Sequence, residues 1–307
     1  MRQHTIKTSM TAKGIGLHTG AAVTMTLKPG KINSGILFRR TDIAGQAQIK
    51  AQVESVAPSP LCTTLADGRL QVGTIEHLLA AVSALEIDNL IVELDGAEVP
   101  IFDGSAEPFM FLLESAGRRM QFAARRVLRV LRPVEYRDGD KWARLIPAAA
   151  YSLHASIDFA DSVIGQQSAT LSEFSAGQFK AQLAAARTFT RAADVAQLRA
   201  AGLVQGGSLA NAVVVDGATV LNPEGLRMED ECVRHKLLDA VGDLALAGYP
   251  LQARYEGFKA GHYMHFRLLQ ELFADADNYV IETVQPRVES RDTQAIQQES
   301  HIGRVAA

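Results

Sequence analysis

His235, Asp239 and Asp243 fall at i, i+4 and i+8 of one segment. Val233, Leu237, Val241 and Leu244 supply a separate apolar stripe, so the spacing predicts a helix over 229–246 with the three polar residues on one face. A neutral imidazole and a carboxylate one turn apart can reach one metal ion, and Asp243 stands one turn further on. The pattern equally describes a solvated acidic face with a stray histidine, because charged helix faces are common. Glu76 and His77 begin a second predicted helix, 74–85, whose stripe is Ile75, Leu78, Leu79, Val82 and Leu85, with Thr74 placed to cap it. An exposed Glu there suits the helix dipole. The alternative makes His77 a third metal ligand and Glu76 a general base. Zinc hydrolases need both parts: the ion lowers the pKa of its water to about 7, and a carboxylate takes the proton.

Two more segments carry candidates. In Phe258-Lys259-Ala260-Gly261-His262, Gly261 lets the backbone bend beside a histidine suited to general acid work, which Asp243 can orient. A lone histidine here also reads as structural. Arg187-Thr188-Phe189-Thr190-Arg191 is either an ordinary loop or one that faces a ligand, where Thr188 can stabilise an oxyanion. Nothing matches H-E-x-x-H, a Walker loop or a dinucleotide fingerprint.

The elements that must position these residues are short strands followed by helices, twice. Strands are expected at 23–27, 35–39 and 90–94, and a helix at 108–115 ended by Gly117. A basic stretch, 118–132, separates the halves, and a domain boundary is placed near 124. Beyond it, strands are expected at 141–146, 152–159, 212–215 and 253–255, and helices at 175–186, 229–246 and 265–274. The division is 1–124, 125–285 and a polar tail, 286–307. No sequence repeat links the halves, and the order of elements indicates an α+β protein.

Composition narrows the function classes. The 307 residues are 47% hydrophobic and 21% charged, enough for real cores. A net charge of −3 argues against a nucleic-acid binder acting through overall charge. The doublets Arg39-Arg40 and Arg125-Arg126 are solvated or contact a ligand phosphate. Two cysteines form no C-x-x-C pair, the first ten residues lack a signal-peptide core, and no apolar run reaches membrane-span length. A soluble cytoplasmic protein is expected.

In order, the motifs Gly-Ile-Gly-Leu-His-Thr-Gly (14–20), Thr-Ile-Glu-His-Leu (74–78), Asp-Gly-Ser-Ala (103–106), Arg-Thr-Phe (187–189), Gly-Gly-Ser (206–208), Val-Arg-His-Lys-x-Leu-Asp (233–239) and Lys-Ala-Gly-His (259–262) resemble one family. It is the zinc-dependent deacetylases that act on UDP-3-O-acyl-N-acetylglucosamine in lipid A synthesis, and the resemblance spans roughly residues 3 to 270. It implies one Zn2+ held by His77, His235 and Asp239, with Glu76 as base, His262 as acid, Asp243 as its orienting partner and Thr188 at the oxyanion. It further implies substrate contacts by Lys236, Phe189 and Lys259. The implied fold is two similar α+β domains packed through their helices, each with a small insert. The second insert, about 187–213, forms an acyl passage.

Met228, Cys232 and Leu209-Ala210 depart from the family pattern and bear on acyl length. Cys62 aligns with a cysteine near the site in related enzymes. The substrate is a small amphiphile, so brief contact with a membrane surface fits, with no transmembrane segment and no nucleic acid as partner. Two rival readings are a non-haem iron oxygenase, which leaves Glu76 and His262 without work, and a sugar-nucleotide binder without catalysis.

Overall fold

The computed structural model describes residues 1–284 apart from 46, 47, 58, 60 and 162; the tail assigned to 286–307 lies outside the described residues. Alternation builds the first sheet: in Ala22–Pro29, Val23, Met25 and Leu27 are buried and Thr24 and Thr26 half-buried. Its order is Met10–Ile15, Ala22–Pro29, Leu90–Leu94, Ile36–Arg40, Gln48–Lys50. Neighbours are antiparallel except Leu90–Leu94 beside Ile36–Arg40. A second sheet runs Val134–Asp138, Lys141–Ile146, Arg254–Phe258, Ser152–Asp158, Gln166–Leu171. Again one pair is parallel, Arg254–Phe258 beside Ser152–Asp158. In each sheet the last strand of the chain inserts between the second and third. The two halves thus repeat one topology that their sequences do not share. The protein is α+β, as expected.

Each half adds a three-stranded sheet. The first is Val56–Ala57, Thr64–Asp67 and Leu70–Val72; the second is Phe189–Arg191, Val213–Asp216 and Thr219–Val220. The basic stretch is itself two strands. Arg118–Ala124 pairs with Arg2–Ile6, whereas Arg126–Val130 pairs with Tyr279–Thr283 and Leu251–Gln252. The buried positions within these two strands, Gln121, Leu128 and Val130, are spaced among arginines that hide the alternation, and Arg125 between the strands is itself buried.

Six α-helices occur among the described residues: α1 (Glu76–Ala84), α2 (Glu107–Ala116), α3 (Ala176–Gln182), α4 (Ala192–Ala200), α5 (Glu231–Leu244) and α6 (His262–Ala274). Three differ from expectation. α3 stops at Gln182 rather than 186, although Ser175 caps its start by accepting from the Gln178 amide. α4 was not visible in the sequence because it buries no residue and shows no apolar stripe. α6 starts at His262, three residues early.

Thr74 does not cap α1. It stands at φ 56° and gives its hydroxyl to Glu98 at 2.8 Å, leaving Ile75 at the cap position. Nor does Gly261 supply the bend before His262. Its φ of −148° is ordinary extended backbone, and Lys259 takes the left-handed conformation at φ 51°.

α1 and α5 are buried along nearly their whole length. They meet at Gly242, where a Cβ would stand 2.0 Å from the Glu76 carbonyl oxygen. Only glycine allows this approach. Gly242→Ala is expected to force the helices apart, costing about 1–3 kcal/mol. Thermal unfolding checks this, and a parent-like midpoint would show that the contact is relaxed without loss.

Candidate metal centre and catalytic site

The α5 face is not solvated. His235, Asp239 and Asp243 are 2%, 1% and 2% exposed, so the acidic-surface alternative fails. The crossing brings α1's first turn against them. His77 Nε2 lies 3.6 Å from Asp239 Oδ1, and His235 Nε2 lies 3.2 Å from the same oxygen. His235 Nδ1 donates to the Ala186 carbonyl at 3.0 Å, which fixes the proton there and leaves Nε2 with a lone pair. Burial pushes His235 down to about 3, against the pull of Asp239, so the ring is neutral. Asp239 is ionised: burial opposes it, but the adjoining His235 and Lys236, of which Lys236 carries the positive charge, keep it well below the usual range. Lys236 donates to Asp239 Oδ2 at 2.8 Å, and Asp239 Oδ1 is buried with no hydrogen-bond partner.

That orphaned oxygen is the test of whether a cation fits. A buried carboxylate oxygen facing two imidazole nitrogens, with no donor, is costly unless a positive ion sits among them. Ligands about 2.0–2.1 Å from a tetrahedral ion stand about 3.3 Å apart. The observed 3.2 and 3.6 Å match this spacing. Two histidines and one carboxylate therefore suit a divalent metal with an open position.

Glu76 and His262 flank this cluster. Glu76 Oε2 accepts the Thr63 amide at 3.0 Å, and burial pushes its carboxyl up to about 7 against the pull of His262. His262 Nδ1 pairs with Asp243 Oδ2 at 2.8 Å, and its Nε2 lies 4.0 Å from Asp239. Burial would lower His262, yet Asp243 and Asp239 prevail and raise it to about 10. Burial would likewise raise Asp243, but His262 and then His265 hold it far below the carboxylate range. A buried carboxyl pushed up toward neutral pH and a histidine held protonated thus stand beside a cluster that could hold a metal ion.

Sequence reasoning missed three contributors. Thr63, His265 and Tyr255 all support Asp243. The Thr63 hydroxyl donates to Oδ1 at 2.5 Å, and His265 Nδ1 pairs with Oδ2 at 2.7 Å. Tyr255 then holds His265 Nε2 at 2.8 Å. His265 sits one turn beyond His262, a spacing that could have flagged it; Thr63 and Tyr255 carry no local signal.

The remaining candidates lie further out. The Phe189 ring stands edge-on to His235 at 6.4 Å with Lys236 Nζ 5.5 Å from its centre. Thr188 and Phe189 line an apolar cavity of about 390 Å³, with Leu17, Leu198, Leu209 and Leu221. Lys259 is held by Asp140 and Asp158, both at 3.0 Å. Arg187 does not face a ligand. It is buried and bound to Glu231, Glu224 and the Gly225 carbonyl, which fixes the loop to the start of α5. The arginine doublets are largely committed to carboxylates: Arg39 to Glu93, Arg40 to Asp42, and Arg125 to Asp88 and Glu86. Cys62 packs against the Ser59 and Thr64 hydroxyls, beside Glu76 but outside the cluster of metal-capable groups.

Residues 3–274 match the family described as UDP-3-O-acyl N-acetylglycosamine deacetylase. Three curated relatives are named UDP-3-O-acyl-N-acetylglucosamine deacetylase. That of Thioalkalivibrio sulfidiphilus is 45% identical over 94% of this chain and 96% of its own length. That of Pseudomonas entomophila is 44% identical over 92% and 93%, and that of Marinobacter nauticus 45% over 92% and 93%. With the family matched over nearly the whole chain and a buried His77, His235 and Asp239 cluster that could hold a metal ion, the chain belongs to the UDP-3-O-acyl N-acetylglycosamine deacetylase family.

Proposed function

We propose that this chain hydrolyses the N-acetyl group of UDP-3-O-acyl-N-acetylglucosamine, releasing acetate and the free 2-amine, with one zinc ion held by His77, His235 and Asp239. The observation that carries this reading is the convergence of three buried ligand atoms with Glu76 and His262 beside them. When bound, zinc supplies Lewis acidity, bringing the pKa of water to about 7 and polarising the acetyl carbonyl.

The chain's own groups do the proton work. Glu76 takes the proton of the attacking water. The Thr188 hydroxyl donates to the oxygen on which charge develops. An amine leaves poorly as an anion, so His262, oriented by Asp243 through Nδ1, delivers a proton from Nε2. Lys236 and Phe189 border the metal cluster and meet the polar head of the sugar; Lys259 meets the nucleotide side. The 390 Å³ apolar cavity takes the 3-O-acyl chain. This reading gives Glu76 and His262 their tasks, which neither an oxygenase nor a mere sugar-nucleotide binder does. We also divide the chain into two domains near residue 124, where strand partners change from the first half to the second, and place the enzyme in the cytoplasm, in keeping with two free cysteines. No described helix is long and apolar enough to cross a membrane.

Acetate release from the UDP-linked substrate is expected to vanish on chelation, to return with zinc, and to fall about 100-fold or more in both Glu76→Gln and His262→Ala. An unaffected Glu76→Gln enzyme would remove the base assignment. The pH profile has a definite sign. Glu76 must be deprotonated and His262 protonated, so kcat/KM rises with pH through the first group and falls through the second. Their values of about 7 and about 10 set upper bounds, because a nearby cation lowers both. A profile that falls across the acid limb would contradict the roles. Leu209→Trp, on the cavity wall, is expected to raise KM several-fold for long acyl chains and little for short ones, measured over a chain-length series; equal effects on all lengths would move the acyl chain elsewhere.

A further inference from the structure

Asp243 and Glu76 belong to opposite halves of the molecule, yet one residue holds both. Thr63 lies just before the strand Thr64–Asp67 and is 5% exposed. Its amide donates to Glu76 Oε2 at 3.0 Å, and its hydroxyl donates to Asp243 Oδ1 across a sequence separation of 180. Its carbonyl accepts the Ile75 amide at 3.4 Å, immediately before the α1 turn that carries Glu76. All three polar groups of Thr63 are therefore committed, two to α1 and one to α5.

The Asp243 carboxylate has no freedom left to compensate. His262 and His265 share Oδ2 at 2.8 and 2.7 Å, so Oδ1 is the oxygen that remains, and Thr63 takes it. Two donors on one oxygen leave rotation about the Asp243 side chain open. A third donor on the other oxygen closes it, and the plane of the carboxylate then sets the direction of the His262 ring. A carboxylate free to rotate would turn that ring with it, away from the leaving nitrogen.

We propose that Thr63 is a positioning residue that ties the base to the acid's partner, so that Glu76 and His262 keep one fixed spacing across the two halves. The proposal rests on the base and acid roles given above. Removing a hydrogen bond to a charged group from a site that needs exact geometry costs about 10- to 100-fold. Thr63→Val keeps the shape and deletes the hydroxyl. Its kcat is expected to fall by that factor, with KM within about twofold of the parent and with parent zinc content, while the Asp243 oxygen left without a donor lowers the thermal midpoint modestly. Thr63→Ser restores the donor and most of kcat. Thr63→Ala, run alongside, should match Thr63→Val, which separates the hydroxyl from a packing defect.

The deciding measurement is a cycle with His262→Ala. If the hydroxyl acts through Asp243 on His262, Thr63→Val adds no further loss in that background. If His262→Ala is impaired and Thr63→Val still costs its full factor, the proposal falls while the acid role stands. If His262→Ala is as active as the parent, the acid role fails and the proposal fails with it. An unchanged kcat in Thr63→Val, or a Thr63→Ser enzyme as slow as it, also overturns the proposal.

Discussion

The approach of α1 and α5 at Gly242 is the constraint on which the site depends. Backbone against side-chain-free backbone lets the first turn of α1 pack against the last turn of α5. Without that proximity the His77 ring could not come within 3.6 Å of Asp239. Glu76 would also lose its place between the metal cluster and the Thr63 amide. The two repeated sheets serve this crossing. Each backs helices with an apolar face, and the helices present polar groups to one another rather than to water. Arg187 does comparable work at the other end of the site. Its buried pairing with Glu231 anchors the loop that brings the Ala186 carbonyl to His235.

Burying so many ionisable groups is costly unless each is answered. Here the charges are interleaved. Asp239 has Lys236 on one oxygen and two imidazoles facing the other. Asp243 has a hydroxyl and two imidazoles. Glu76 alone has a single neutral donor, which is why burial dominates its carboxyl and raises it. The carboxylates around His262 have the opposite effect, holding a proton on that ring. Opposite protonation preferences thus follow from unequal surroundings within one small volume.

Much of this was legible from sequence. The i, i+4, i+8 spacing placed His235, Asp239 and Asp243 on one face, and the alternation of Val23 to Leu27 gave a strand with its faces correctly assigned. The family motifs pointed to His77, which the fold brings beside His235 and Asp239. What escaped had physical reasons. Thr63 and Tyr255 act through contacts 180 and 10 residues away, with no periodicity to announce them. α4 buries nothing and so has no stripe. The strands Arg118–Ala124 and Arg126–Val130 hide their inward residues among arginines. Thr74 and Gly261 were misassigned because local propensity yielded to tertiary demands: Glu98 claimed the threonine hydroxyl, and the backbone turned at Lys259 instead.

The split origin of the site bears on how the chain behaves while it is being made. Glu76, His77 and Thr63 emerge early from the ribosome, and His262 emerges near the end of the described residues. Neither part holds all three members of the His77, His235 and Asp239 cluster. A nascent or half-docked chain therefore lacks the assembled cluster, which forms only when both halves have closed on each other. An assembled cluster thus doubles as a report that the two halves have docked.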